Sequence, residues 1–232
     1  MLEQRIAEVA RAEFESAVAD LRKVSPHDSL LRFYSRQDER IAAGAATSAV
    51  KPACHKNCWY CCYYKVEARA IEVFAIVDFV KRQFTEQELQ TALKCASQNV
   101  EEVGGLSYKQ HMTTNQKCPF LVDGQCSVYP VRPSKCRNFH ASDVARCVES
   151  YERPTDLTIP NSYVTEIFIA SHGGSEAFER AVELSGLDHR MYDLNSAFVE
   201  AIENPKCLKR FKDRKKAFLT AKVVQVGEAG AV

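Results

Sequence analysis

Nine of the chain's ten cysteines fall between residues 54 and 147, and seven of them form two tight groups. The first is C-H-K-N-C-W-Y-C-C at 54 to 62, giving Cys54, Cys58, Cys61 and Cys62; the second is Cys118, Cys126 and Cys136. Thiols two residues apart, as at Cys58 and Cys61, can both reach one ion at about 2.3 Å from a single turn. A chain of 232 residues builds a core without staples. Its cysteines are also too sparse for a small secreted disulfide scaffold, so the clustering points to metal binding or thiol chemistry.

The rest of the composition narrows the setting. A hydrophobic content of 46% with 26% charged residues suits a folded globular chain. The net charge of +1 lacks the basic excess of a dedicated nucleic-acid binder, so nucleic acid is not the expected partner. Glu3, Arg5, Glu8, Arg11 and Glu13 interrupt any N-terminal signal stretch. The most apolar segment, Val66 to Phe84, is broken by Glu67, Arg69, Glu72, Asp78, Lys81 and Arg82, which excludes a helical membrane span there. A cytoplasmic protein with reduced thiols is expected.

Apolar periodicity predicts a mostly α protein: helices packed around an irregular cysteine-rich centre with one short β-hairpin. Leu2, Ile6, Val9, Phe14, Val18 and Leu21 mark a first amphipathic helix over 2–23. A second is expected from an N-cap at Asp28 through Ile41, followed by a linker over 44–52. Residues 66–84 read as one helix, and the capping box at Thr85 to Glu88 opens another toward Val103. Asp123-Gly124 between two short apolar segments predicts a hairpin. Helical patterns then cover 162–171, 175–185, 194–203 and 205–222, the last strongly basic and read as a solvated face. The expected divisions are a helical segment at 1–52, a cysteine core at 53–150 and a helical segment at 151–232, together one compact unit.

The adjacent pair Cys61-Cys62 bears on nuclearity, because neighbouring side chains diverge. Either one is a spare or redox thiol, or the site holds more than one metal atom. Seven thiols exceed the four that one zinc or one iron–sulfur cluster uses, which favours the same two options. Arg132 and Arg137 are expected as charge partners of the sulfurs. Cys95 and Cys207 lie in helical patterns and read as packing residues, whereas Cys147 fits either an eighth ligand or a packing role. His55 and His140 are left outside the ligand set, and Trp59, Tyr60, Tyr63 and Tyr64 read as an apolar shell limiting solvent access.

The chain resembles the CxxCxxCC cysteine-cluster family of zinc- or iron-chelating proteins, related in its motif to flagellin lysine-N-methylase. The likeness lies in C-x3-C-x2-C-C at 54 to 62 and in C-P-F-L-x2-G-x-C-x-V-Y-x2-R-P-x2-C-R at 118 to 137, about the middle third of the chain. It implies that Cys54, Cys58, Cys61, Cys62, Cys118, Cys126 and Cys136 ligate zinc or iron. Its methylase branch implies an iron–sulfur cluster and a protein substrate, whereas a metal chaperone or redox sensor would use the spare thiols on a protein partner.

Cys54-x3-Cys58-x2-Cys61 also resembles the radical-SAM signature, but helices on both sides and no series of alternating strands oppose that barrel fold. No G-x-G, H-E-x-x-H or G-x-S-x-G occurs, so dinucleotide-binding, zincin and serine-hydrolase signatures are missing.

Overall fold

The computed structural model describes residues 2–224, and among these it is mostly helical, with ten helices and two short two-stranded sheets. Helix α1 (Leu2–Lys23) has the predicted limits, but its buried positions are Glu13, Ala17 and Asp20; of the expected stripe Ile6, Val9, Phe14, Val18 and Leu21 are half-buried and Leu2 is exposed. Helix α2 (Pro26–Thr47) begins earlier than expected: Ser25, not Asp28, is the N-cap, its Oγ accepting from the Asp28 amide at 3.1 Å. It also runs into the expected linker, taking 44–47 of 44–52. Gly44 lies so close to the Glu166–Ile167 backbone that a Cβ would come within 3.1 Å, so this small residue is a helix–helix contact rather than a hinge.

Helix α8 (Thr165–Leu184) joins the two patterns expected over 162–171 and 175–185. Gly173-Gly174 does not break it, because α1 and α2 press against these positions; a Cβ on Gly173 would stand 2.6 Å from the Ile6 carbonyl. Phe33 stacks on Phe178 at 4.3 Å across α2 and α8. Between α1 and α2, the fully buried Glu13 accepts from Arg36 at 2.7 and 3.0 Å and also pairs with Arg40, while Asp20 holds Arg32 and Arg36 at 2.8 Å each.

The segment expected as one helix over 66–84 divides into strand β1 (Glu67–Arg69) and helix α3 (Ala70–Gln83). A distant partner overrides the helical pattern: β4 (Met191–Asp193) pairs antiparallel with β1, Ala68 opposite Tyr192. Helix α4 (Glu86–Val103) starts on the predicted Thr85 capping box, and α9 (Leu194–Glu203) matches its predicted limits. The apolar faces of α3 and α9 meet in the main core, where Phe120 packs edge-on to Phe198 at 5.0 Å.

Between α4 and the cysteine hairpin lies the short helix α5 (Tyr108–Met112). At the C-terminal end, α10 (Lys206–Lys212) is much shorter than the helix expected over 205–222. The buried carboxylate of Glu200 explains the ending. It accepts from the amides of Leu219, Thr220 and Ala221 at 2.7–2.8 Å and holds them out of a helix. These hydrogen bonds outweigh burial and lower the Glu200 pKa.

Candidate metal centre

The first cysteine group lies on a loop and a 3-10 turn. Ala53 donates to the Ala141 carbonyl at 2.8 Å, Cys58 closes a turn onto His55 at 3.0 Å, and Asn57 takes a left-handed φ of 67° that Asn tolerates. Tyr60–Tyr63 then form the 3-10 turn that carries Cys61 and Cys62.

The second group comes from the predicted hairpin and its exit. Strands β2 (Leu121–Val122) and β3 (Gln125–Cys126) pair across Asp123-Gly124, whose positive φ values of 49° and 73° suit a tight hairpin turn. Pro130 and Pro133 stiffen the exit into the short helix α6 (Ser134–Asn138), which presents Cys136. Two backbone hydrogen bonds join the groups: Cys118 to the Cys62 carbonyl at 2.8 Å and Gln116 to the Tyr63 carbonyl at 2.9 Å.

Below α6 sits the buried Glu72 of α3. Its Oε1 accepts from the Ser134 amide at 2.8 Å, the Ser134 hydroxyl at 2.6 Å and the Tyr34 hydroxyl at 3.1 Å, while Oε2 accepts from the Arg69 amide at 2.9 Å. The helix that carries Cys136 is thereby pinned to α2 and α3.

The expectation for the two arginines divides. The buried Arg137 is committed elsewhere, to Asp38, to the Pro130 carbonyl at 2.8 Å and to the face of Tyr34 at 4.1 Å. Arg132 stacks on Tyr129 at 3.7 Å and lies near enough to Cys126 and Cys136 to oppose the rise in their pKa values.

Cys54 is exposed and the other six predicted ligands are half-buried. Their electrostatics show which face one another. The hydrogen bond that the Cys61 thiol gives to Cys62 raises the Cys61 pKa most, with burial adding to it. Burial raises Cys118, with Cys136 and Cys126 repelling a charge there; burial likewise raises Cys136, with Cys61 and Cys126 as neighbours. Burial also raises Cys54, whose thiol neighbours are Cys58 and Cys61. Cys61 is thus a charge neighbour of thiols in both groups. Among the described residues no three Cys, His, Asp or Glu side chains stand at metal-holding geometry. The chemistry of the donor set fits a soft cation, since a metal ion would replace repulsion among gathered thiolates with attraction.

Cys147, left open by the sequence, belongs to this neighbourhood. It is buried on helix α7 (Val144–Glu152), and burial together with Cys54, Cys58 and Cys61 pushes its pKa up to about 11. Tyr151, one turn along and not anticipated, closes the expected aromatic shell, its ring 5.2 Å from Trp59, 5.8 Å from Tyr60 and 5.0 Å from Tyr63. The i, i+4 spacing of Cys147 and Tyr151 was the signal available for both.

Cys207 is buried, as expected of a packing residue. Cys95 instead points its Sγ at the Lys117 carbonyl, 3.6 Å away and one residue before Cys118. His55 turns its Nδ1 to the Lys56 carbonyl at 2.8 Å, and burial lowers the pKa of His140.

Residues 53–161 match the family model CxxCxxCC, described as "Putative zinc- or iron-chelating domain". The match spans both cysteine groups and agrees with the resemblance that their spacing carries. No curated protein and no solved structure matches the chain. No described helix is long and apolar enough to cross a membrane.

Proposed function

We propose that Cys54, Cys58, Cys61, Cys62, Cys118, Cys126 and Cys136, joined by Cys147, chelate zinc or iron in one centre that ties the 54–62 loop to the 118–136 segment. The observation that carries this reading is the backbone junction of the two groups, where the Cys118 amide donates to the Cys62 carbonyl at 2.8 Å; Cys61 beside it is a charge neighbour of thiols in both groups and of Cys147. The metal would act as a cross-link, adding folding free energy and releasing the thiol protons as it binds. Arg132 would offset part of the excess thiolate charge, and the Trp59–Tyr151 shell would keep water from one side. All ten cysteines are free, which agrees with a reducing, cytoplasmic setting.

Eight gathered thiols supply two sets of four, so a polynuclear or iron–sulfur centre is favoured over a single zinc. Titrating the reduced, metal-free chain with cobalt(II) tests the site. Thiolate-to-cobalt charge-transfer absorption that saturates with proton release supports it, and a silent titration overturns it. A brown colour in protein isolated without oxygen would select iron–sulfur, and a colourless zinc protein would remove it. The methylase reading rests on resemblance alone, and S-adenosylmethionine titration of that same protein tests it.

A further inference from the structure

At the opposite end of the chain from the first cysteine group, a cavity of about 420 Å³ opens between α4, α9 and the 219–221 segment. Val100, Val199 and Leu219 give it apolar walls, and Leu219 is 60% exposed at its edge. Asn204 also lines it, and the Asn204 side chain accepts from the Lys206 amide at 3.1 Å. The start of α10 therefore adjoins the groove.

The solvent face of α10 is cationic. Cys207 and Phe211 are buried. At 100° per residue this turns Lys206, Lys209 and Lys212 outward together, spread over about 9 Å of helix, with Leu208 beside them at 42% exposure. Six cations here, Lys206, Lys209, Lys212, Arg214, Lys215 and Lys216, have no acidic partner among the described residues, whereas Arg210 is paired with Glu200 at 3.1 Å. Residues 206–222 hold eight bases against one acid in a chain whose net charge is only +1.

The end of α10 keeps this charge at a conformational cost. Arg214 sits at φ 58°, with its amide on the Phe211 carbonyl at 3.0 Å and the Lys215 amide on the Arg210 carbonyl at 2.9 Å. That is the glycine position of a Schellman ending, where a side chain is strained.

We propose that the groove and the cationic face of α10 together dock an acidic protein segment carrying an apolar anchor residue. The lysines meet its carboxylates, and the groove takes the apolar side chain. A protein segment fits better than nucleic acid for two reasons. The local rings, Phe211 and Phe218, are buried and offer no stacking platform, and lysine point charges outnumber the planar arginine fork five to one. Glu200 and Glu203 on the groove wall disfavour a phosphate inside it and equally a carboxylate, so the groove takes only the apolar side chain and the acidic residues of the segment lie over α10.

The test uses the full chain and a fluorescein-labelled peptide of ten glutamates flanking two central leucines, followed by fluorescence anisotropy. Binding at low salt is expected to weaken at least about tenfold when ionic strength rises to about 0.3 M. A Lys209→Glu, Lys212→Glu double variant, altered only at exposed positions, should weaken it at least about tenfold. Replacing the leucines by alanine should cost at least about threefold, in line with lost apolar burial. No peptide binding at low salt, or equal binding by the charge-reversed variant, overturns the proposal. Equal binding of the alanine peptide overturns the role of the groove. Tighter binding of a single-stranded RNA of equal length assigns the face to nucleic acid instead and also overturns it.

Discussion

The amide of Cys118 donates to the carbonyl of Cys62 at 2.8 Å, so a residue of each cysteine group is fixed to the other through the main chain. The Gln116 to Tyr63 bond beside it makes the junction a two-rung ladder. The Cys54 end is tethered to Ala141 through Ala53 and its own thiol and continues into an exposed turn. In the reduced, metal-free chain, hydrogen exchange at the Gln116 and Cys118 amides should be at least about a hundredfold slower than at His55 and Lys56. Equal rates would show that the junction needs metal to form.

Glu72 anchors the helix that carries Cys136 through two hydrogen bonds from Ser134, and holds Tyr34 and the Arg69 amide with two more. Glu72→Ala leaves buried donors on Tyr34 and Ser134 without an acceptor and should cost about 3 kcal/mol in urea denaturation. Metal affinity should fall with it. Glu72→Gln, which keeps an acceptor, should lose less than half as much stability.

Gly173→Ala should separate α1 from α8, because the new Cβ would stand 2.6 Å from the Ile6 carbonyl and 3.3 Å from the Ala10 amide. Overpacking costs about 1–3 kcal/mol and alanine's better helix propensity returns up to about 1, so a net loss of about 1–2 is expected. Thermal unfolding would measure it, and a more stable variant would mean that the helices shift apart at little cost.

His111 makes stability fall in acid. It is buried, with Nε2 3.9 Å from Asp193, and burial lowers its pKa below the usual 6.5 while Asp193 opposes and Lys65 and Lys222 assist. The unfolded chain therefore takes up this proton at higher pH than the folded one. The contribution is complete above about pH 6.5 and is lost as pH falls from there toward the folded value, with a slope of up to about 1.4 kcal/mol per pH unit. Urea denaturation of the metal-free chain across that range should show a slope that His111→Gln reduces; an unchanged slope would assign it to other groups.

Local signals found much of this architecture. The Thr85 capping box, the Asp123-Gly124 turn and the limits of α1 and α9 each depend on a few neighbouring residues, and each appears where its chemistry predicts. The misses share a long-range cause. Residues 67–69 leave the helical pattern because β4, more than a hundred residues later, pairs with them. Gly44 and Gly173 read as punctuation, yet they are contacts whose partners lie on other helices. Residues 219–221 are non-helical because Glu200 takes their amides. At the centre, both thiol groups and the aromatic run were legible from spacing. Cys147, open between ligand and packing in the sequence, and Tyr151, which the sequence did not flag, join the centre through the packing of α7 on the 3-10 turn.

Metal content of protein purified reduced and without oxygen tests the central claim most directly, comparing the parent chain with Cys61→Ser and Cys207→Ser. The account predicts at least one zinc or iron per parent chain and per Cys207→Ser chain, and less than about a tenth of that in Cys61→Ser, because Cys61 is a charge neighbour of thiols in both groups whereas Cys207 is buried beside Glu200 and Arg210. A folded parent protein with neither metal, or a Cys61→Ser variant that keeps its full complement, would contradict it.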